Sequence, residues 1–214
     1  MKRVLGGIGL LSITVIFLAV VIPLFTHAPH AAQPVQGAPI THMQRQAMNS
    51  DSSWKEYSVA GVQVFSPVAL TKQDALSASS SQPVELYVGQ RPSSTMSVAL
   101  TRRELGANED CALEKVASVA SDTAQQEFPD GFVSGSHAVD LHGIPARRLV
   151  MQFVTGGTPV QSTSAIFVKQ PYIWEVKVVG PKNLVGLDAD TERVLDSIKL
   201  DNGAALARVV GRTE

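Results

Sequence analysis

The sequence has one cysteine in 214 residues and no excess of basic side chains. Because Cys111 has no cysteine partner in the chain, an intramolecular disulfide bond is excluded. The residue is then buried, free or bridged to another chain, and a small buried residue on a helix is the favoured interpretation. Lysine and arginine number 18 against 19 aspartates and glutamates, a formal net charge of −1. This balance lacks the positive surface typical of nucleic-acid-binding proteins, so nucleic acid is not an expected partner.

Recognisable catalytic motifs are also absent from the sequence. It contains no Gly-x-Ser-x-Gly elbow, no His-Glu-x-x-His pair, no paired cysteines and no Gly-x-x-x-x-Gly-Lys loop. Residues Gly180 to Asn183 are typical of a turn after a strand rather than of a phosphate loop. We therefore predict no catalytic residue, no metal site, no cofactor and no enzymatic activity. A dispersed active site that uses His137 or His142 is the alternative.

The N-terminus carries an uncharged apolar run from Val4 to Phe25, preceded by Lys2 and Arg3. As a helix this run spans about 33 Å, enough to cross a hydrocarbon core of about 30 Å. Residues 1–26 are therefore predicted to be a signal anchor that crosses the membrane once. Because the basic residues precede the run, the N-terminus is predicted to be cytoplasmic and the rest of the chain periplasmic or extracytoplasmic.

A cleaved signal peptide is the alternative for this segment. Such peptides have a shorter apolar core, of about 7–15 residues, followed by a site with small residues. Here Pro23, Phe25 and His27 crowd the end of the run, although Ala28 or Ala32 could end a cleavable segment. The composition therefore favours an uncleaved anchor.

Two further segments are predicted to lack regular secondary structure. Residues 27–53 mix proline, alanine, glutamine and serine without an apolar period, which predicts a flexible tether that reaches about 30 Å on average. The tether contains His27, His30 and His42, but it supplies no rigid geometry for a metal ion. Residues 201–214 are short and rich in small side chains, which predicts a disordered tail.

From residue 54 to residue 200 the sequence predicts one extracytoplasmic α+β domain. Short runs with period-two alternation are separated by Gly, Pro, Asn and Ser, as expected for strands and turns. Turns at His142-Gly143, Gly156-Gly157 and Lys169-Gln170-Pro171 predict a consecutive antiparallel meander. The predicted strands are 57–59, 62–65, 84–89, 96–101, 132–141, 147–155, 160–168 and 172–179.

Two helices are predicted within this domain. Asn108 is the expected N-cap of the first, followed by Glu109 and Asp110, and the Phe128-Pro129-Asp130-Gly131 run is expected to end it. Apolar residues at helical spacing from Leu187 to Ile198 predict the second. The fold class is thus an antiparallel sheet packed against two helices.

The last predicted strand indicates how the sheet is covered. Trp174, Val176 and Val178 alternate with Glu175 and Lys177, the pattern of a sheet with one buried face. Leu149, Met151 and Phe153 repeat the pattern in an earlier strand. Glu175 and Lys177 are therefore expected to face away from the packed side.

Three short motifs carry a family resemblance that covers most of residues 57–200. They are Val62-Gln63-Val64-Phe65-Ser66-Pro67, Leu141-His142-Gly143-Ile144-Pro145-Ala146 and Val194-Leu195-Asp196-Ser197-Ile198-Lys199-Leu200. With the order of the predicted elements, they make the chain resemble the Mog1/PsbP-like fold, in particular its small exported bacterial domains. The resemblance implies a binding or assembly module and carries no catalytic residue across. Bacterial members are often lipoproteins, whereas Cys111 lies inside the domain here, so the N-terminal helix is expected to anchor the protein.

Two groups of polar residues in the domain are candidate binding sites. Asp140 and His142 are expected on one face of a strand and His137 on the other, so the three are not expected to converge on a metal ion. The arginine pairs 102–103 and 147–148 could hold an anionic partner or a phospholipid headgroup. Each pair presents one arginine to each face, and solvated strand ends are the favoured interpretation. No binding residue is assigned.

Together these observations predict a membrane-anchored, non-catalytic binding or assembly-helper module of the bacterial cell envelope. Its expected partner is another envelope protein, reached through a sheet face or groove. A carrier or sensor for a small apolar ligand, held between helix and sheet, is the alternative to protein binding.

Overall fold

The computed structural model describes residues 54–73, 84–91, 95–106 and 112–201. The predicted anchor (1–26), the tether (27–53), Cys111 and residues 202–214 of the predicted tail lie outside these ranges. Within the described ranges no helix is both long and apolar enough to cross a membrane. The elements are β1 (Lys55–Val59), β2 (Val62–Ser66), β3 (Thr71–Lys72), β4 (Val84–Arg91), β5 (Met96–Glu104), α1 (Leu113–Glu127), β6 (Phe132–Leu141), β7 (Ile144–Thr155), β8 (Thr158–Lys169), β9 (Tyr172–Pro181), α2 (Leu187–Asp196) and β10 (Lys199–Leu200).

The larger sheet has seven antiparallel strands in the order β3-β4-β5-β9-β8-β7-β6. The predicted meander of its last four strands is confirmed, because each strand pairs with the next through a tight turn. His142 and Gly143 have φ of 55° and 86°, and Gly156 and Gly157 have φ of 54° and 77°. Positive φ at both central residues is the geometry whose twist matches paired strands.

A second, smaller sheet has the order β1-β2-β10. Its β1–β2 hairpin was predicted, but the expectation of a single sheet is wrong. β10 has two residues, too few for a periodic signal, and Lys199 pairs with Gln63 of β2. The contact is extended by Asp201, whose N–H donates to Gly61 O at 3.0 Å and whose carboxylate accepts from Ser58 Oγ at 3.2 Å. The last described residues therefore complete a sheet that the first described strands begin.

The two helices cover opposite faces of the larger sheet. Trp174, Val176 and Val178 of β9 pack with buried residues of α2 and of the small sheet. Ile173, which precedes Trp174 and faces the other way, packs against Val116 and Ala120 of α1. The expectation that one face is uncovered is therefore wrong, because α1 lies over it. Glu175 and Lys177 are each 7% exposed beneath that helix and form an ion pair with Nζ and Oε1 3.0 Å apart.

The ends of α1 were predicted with mixed success. The predicted start at Asn108 to Asp110 lies outside the described residues, and the helix begins at Leu113 after Ala112, whose backbone is not helical. The predicted stop is confirmed. Phe128 donates its N–H to Ala124 O at 3.1 Å, and Gly131 donates to Phe128 O at 2.8 Å, which turns the chain into β6.

Gly89 of β4 occupies a position where another segment of the backbone approaches closely. A Cβ at this residue would lie 2.5 Å from Ala69 O and 2.7 Å from Val68 Cγ2. We expect Gly89→Ala to lower the free energy of unfolding by about 1–3 kcal/mol, because backbone must move to relieve the overlap. Urea denaturation measures the change.

Gly135 of β6 provides the matched control. A Cβ there would lie 3.8 Å from the side chain of Val150, an ordinary contact. Gly135→Ala should leave the free energy of unfolding unchanged or raise it by up to about 1 kcal/mol. Equal losses in the two variants would contradict the close approach of backbone at Gly89.

Candidate functional site

An open groove of about 470 Å³ lies where the small sheet meets the end of α2. Val62 and Val64 of β2 face the core, so Gln63 and Phe65 turn to the opposite side and form the floor of the groove. The last turn of α2 and the β6–β7 turn form its walls. The lining residues are Glu56, Gln63, Phe65, His142, Arg193, Asp196, Ser197 and Lys199.

Arg193 is held at the groove by two aromatic rings. Its Cζ lies 4.1 Å from the ring centroid of Trp54 and 4.8 Å from that of Phe65, and the two rings are 5.3 Å apart. Contacts of this kind contribute about 0.5–1 kcal/mol each at exposed sites. They orient the guanidinium without neutralising it, and within the described residues Arg193 forms no ion pair. The five N–H donors of an arginine are then available to a carboxylate.

The wall formed by α2 is fixed by hydrogen bonds to three other elements. Ser197 Oγ accepts the N–H of Phe65 at 2.8 Å and donates to Val194 O at 2.7 Å. His142 Nε2 lies 2.8 Å from the carbonyl O of Asp196. Arg148 donates to Glu192 at 2.6 Å and to Asp196 at 3.0 Å. These hydrogen bonds hold the end of α2 against β2, β7 and the β6–β7 turn.

Some of the charged side chains that line the groove form ion pairs and others do not. Asp196 is engaged by Arg148, whereas Arg193 and Lys199 form no ion pair among the described residues. Glu56 is the one carboxylate of the lining, as far as the described residues go, without an ion-pair partner. Two cations and an aromatic floor thus face one uncompensated anion, which favours an anionic ligand.

Comparison with known proteins assigns the fold. No family model and no curated protein matches the sequence. The solution structure of cyanobacterial PsbP (CyanoP) from Synechocystis sp. PCC 6803 is similar with a TM-score of 0.53 and 13% identity, over 69% of this chain and 92% of that protein. The domain has the PsbP-like fold. The resemblance inferred from the sequence motifs is confirmed at the level of fold.

More distant solved structures also match this PsbP-like domain. LpqN, involved in cell envelope biogenesis of Mycobacterium tuberculosis, matches with 15% identity and a TM-score of 0.38, over 70% of this chain and 79% of LpqN. Protein PA94 of Pseudomonas aeruginosa, a protein of unknown function, matches with 12% identity and a TM-score of 0.38, over 64% of this chain and 85% of PA94. With TM-scores of 0.38, these two structures do not contribute to the assignment of the fold.

His137, Asp140 and His142, the candidate group from the sequence, are dispersed in the PsbP-like domain. Asp140 Oδ1 accepts the N–H of Gly143 at 2.6 Å, so it stabilises the β6–β7 turn. His142 lies in that turn and contacts the end of α2, while His137 lies opposite Arg148 within the strand pair. Across residues 54–201, as far as they are described, no three His, Cys, Asp or Glu side chains form a group able to hold a metal ion.

The two arginine pairs alternate between faces as predicted, but they are not solvated strand ends. Arg103 is 1% exposed on the face covered by α1. Arg102, on the other face, binds Glu85 at 2.7 Å and lies 4.7 Å from the ring centroid of Tyr172. Arg148 forms ion pairs with Glu192 and Asp196 of α2. Three of the four arginines therefore stabilise the fold.

Arg193, Trp54 and Phe65 were not predicted to form a site. Arg193 reads in the sequence as an ordinary cation near the end of a helix, and Trp54 as the first residue of the domain. Neither belongs to a motif. Contacts between distant parts of the chain bring these two residues together, so the sequence offered no local signal for them. The three motifs of the family resemblance do contain six other lining residues of the groove, namely Gln63, Phe65, His142, Asp196, Ser197 and Lys199.

A second, much smaller cavity lies between α1 and the sheet. It has a volume of about 20 Å³ and is lined by Ser162, Ser164, Glu175 and Lys177 together with apolar residues. This volume holds about one water molecule. The interface between helix and sheet that was considered for an apolar ligand is therefore filled mainly by side chains.

Proposed function

We propose that the protein is a membrane-anchored, non-catalytic binding or assembly-helper module of the bacterial cell envelope, and that its groove binds an acidic segment of a protein partner. The observation that carries this proposal is Arg193, which lines the groove, contacts the rings of Trp54 and Phe65, and forms no ion pair with the residues that the structure describes. In this proposal residues 1–26 anchor the chain in the inner membrane and the domain works on the extracytoplasmic side.

The composition of the groove suits a protein ligand. Its volume falls in the range of about 300–1,000 Å³ that is typical of binding sites. Phenylalanine and arginine, which both line the groove, are enriched in protein interfaces. Lys199 adds a second cation near Arg193, which selects for negative charge on the ligand.

Photo-crosslinking in cells tests this proposal. A photoreactive residue in place of Gln63 lies on the groove floor, whereas one in place of the exposed Asp122 lies on α1, outside the groove. We expect the full-length protein to give one dominant adduct from position 63 and none of the same mass from position 122. Arg193→Glu should reduce that adduct about tenfold, since it replaces an attractive charge by a repulsive one.

Lys182→Glu is the matched control, because it makes the same charge change at an exposed residue that lines no part of the groove. It should leave the adduct yield unchanged. An adduct that forms equally from both positions, or that survives Arg193→Glu, would rule out the groove as the binding site.

A further inference from the structure

Strand β6 forms one edge of the larger sheet and pairs only with β7 among the described residues. It has ten residues, whereas the strand at the opposite edge, β3, has two. Natural proteins protect long edge strands with lysine, proline, bulges or a covering element. β6 contains no lysine or proline, and its one irregularity, between Val133 and Gly135, leaves residues 135–141 in regular pairing. Ser136, His137 and Ala138 are exposed. The backbone of this strand is thus available for pairing.

Arg147 of β7 lies directly behind this edge. It is opposite Ala138 of β6 on one side and Ile166 of β8 on the other, which places it on the face covered by α1. The residue is partly buried, its Nε is buried without a hydrogen bond, and within the described residues the guanidinium forms no ion pair. A partly buried arginine without a carboxylate leaves a favourable charge-assisted contact unmade.

Ala138 leaves room for that contact. Neighbouring strands lie about 4.8 Å apart, so a strand added outside β6 would lie about 10 Å from β7. The methyl group of Ala138 is the only side chain directly between Arg147 and a residue of the added strand in the same row. Two long side chains, an arginine and a glutamate, together span two strand spacings.

The opposite face of the same strand offers an apolar contact. Phe132 at the start of β6 is 54% exposed, and Val154 of β7, on the same face, is 55% exposed. Successive side chains of an added strand alternate between faces. One strand can therefore present an acidic residue to Arg147 and apolar residues to the face of Phe132.

We propose that the β6 edge accepts an extended segment of another protein as an eighth strand, with a glutamate or aspartate opposite Ala138 paired to Arg147. In this mode of recognition backbone hydrogen bonds supply the affinity and individual side chains supply the specificity. The surface is separate from the groove at α2, so it adds a second site to the module rather than a detail of the first.

A second copy of the chain fits this edge less well. Antiparallel self-pairing centred on Val139 would place Asp140 of one copy opposite Ala138 of the other, next to Arg147. Such pairing joins only residues 137–141 of each copy and leaves Phe132 uncovered. A strand from another protein is not limited to these residues and can extend beside Phe132, which is why we assign the edge to a different partner.

The test uses the full-length protein in detergent micelles and the synthetic peptide Thr-Val-Thr-Val-Glu-Val-Thr-Val-Thr. Two further peptides carry glutamine or lysine in place of the glutamate. We expect the glutamate peptide to bind about fivefold tighter than the glutamine peptide and at least tenfold tighter than the lysine peptide. Between Ser136 and Asp140, the alternate amides that do not donate to β7 should exchange more slowly when the glutamate peptide is present.

The variant Arg147→Gln tests whether the preference for glutamate comes from an ion pair with Arg147 or from non-specific binding of the peptide. It should bring the glutamate peptide to the affinity of the glutamine peptide and leave the glutamine peptide unchanged. Arg193→Gln, the same charge change in the groove, should preserve the preference for glutamate. The proposal is overturned if no peptide binds, if all three bind equally, if the preference survives Arg147→Gln, or if the β6 amides become protected with protein concentration alone, which would indicate self-pairing.

Discussion

Replacing Lys177 by methionine is expected to lower the free energy of unfolding by about 3–5 kcal/mol. Lys177 Nζ lies 3.0 Å from Glu175 Oε1, and the two side chains are 9% and 8% exposed beneath α1. Removal of the lysine leaves a buried carboxylate without this partner, which is the costly way to break a buried ion pair. Urea denaturation, fitted with a common slope for wild type and variant, measures the loss.

Two controls show whether the buried charge is the cause. The double variant Glu175→Gln, Lys177→Met should recover much of the loss, because no ionised group then remains without its partner. The pair of Lys72 and Glu85 is longer, at 3.6 Å, and its lysine is 52% exposed. Lys72→Met should therefore change stability by less than about 1 kcal/mol. A double variant as unstable as Lys177→Met would show that packing, not charge, governs this site.

Phe167→Ala should also cost about 3–5 kcal/mol, for a different reason. Phe167 is fully buried and stacks on Trp174 with the ring centroids 5.5 Å apart and the planes 11° from parallel. The substitution removes a ring from the core shared by the large sheet, the small sheet and α2, and the rigid neighbours can fill the space only in part. Denaturation with urea again provides the measurement.

Val154→Ala is the control for loss of side-chain volume, because Val154 is 55% exposed. It should change the free energy of unfolding by about 0.5 kcal/mol or less. A loss for Phe167→Ala within 1 kcal/mol of the loss for Val154→Ala would contradict the packing around the Phe167–Trp174 stack.

The local elements of the fold were predictable because each has a local cause. The meander follows from strands of matching alternation joined by turns such as His142-Gly143, where positive φ is required. Helix α1 ends where Phe128 to Gly131 interrupt its period, and α2 follows from its apolar spacing. Each of these signals is a pattern of a few neighbouring residues, so a single sequence is enough to predict the element.

The arrangement of those elements was not predictable from the same signals. β5 lies beside β9, and α1 covers the face on which Glu175 and Lys177 lie, through contacts between residues far apart in sequence. Two charges in alternation with apolar residues read as a solvated face, yet an ion pair buried under a helix has the same sequence pattern.

The candidate sites also depend on contacts between distant residues that the sequence does not predict. The alternation of Arg147 and Arg148 between faces could be predicted from the period of a strand, and it is confirmed. The partners of the two arginines depend on which helix lies over each face. Arg148 forms ion pairs with α2, whereas Arg147 forms none among the described residues. The contact of Arg193 with Trp54 joins the two ends of the domain, and no local pattern signals it.

The closure of the small sheet by β10 has a consequence for the order in which the protein folds. Ser58 and Asp201 are hydrogen-bonded across 143 residues of sequence, and Lys199 pairs with Gln63 in the same sheet. A contact of such long range requires a long loop to close before it can stabilise the fold. A ribosome that still holds residues 197–201 leaves both Ser197 and β10 unable to reach β2. The groove at the end of α2 therefore forms only after Ser197 and Lys199 have left the ribosome, and a chain that terminates before these residues lacks it.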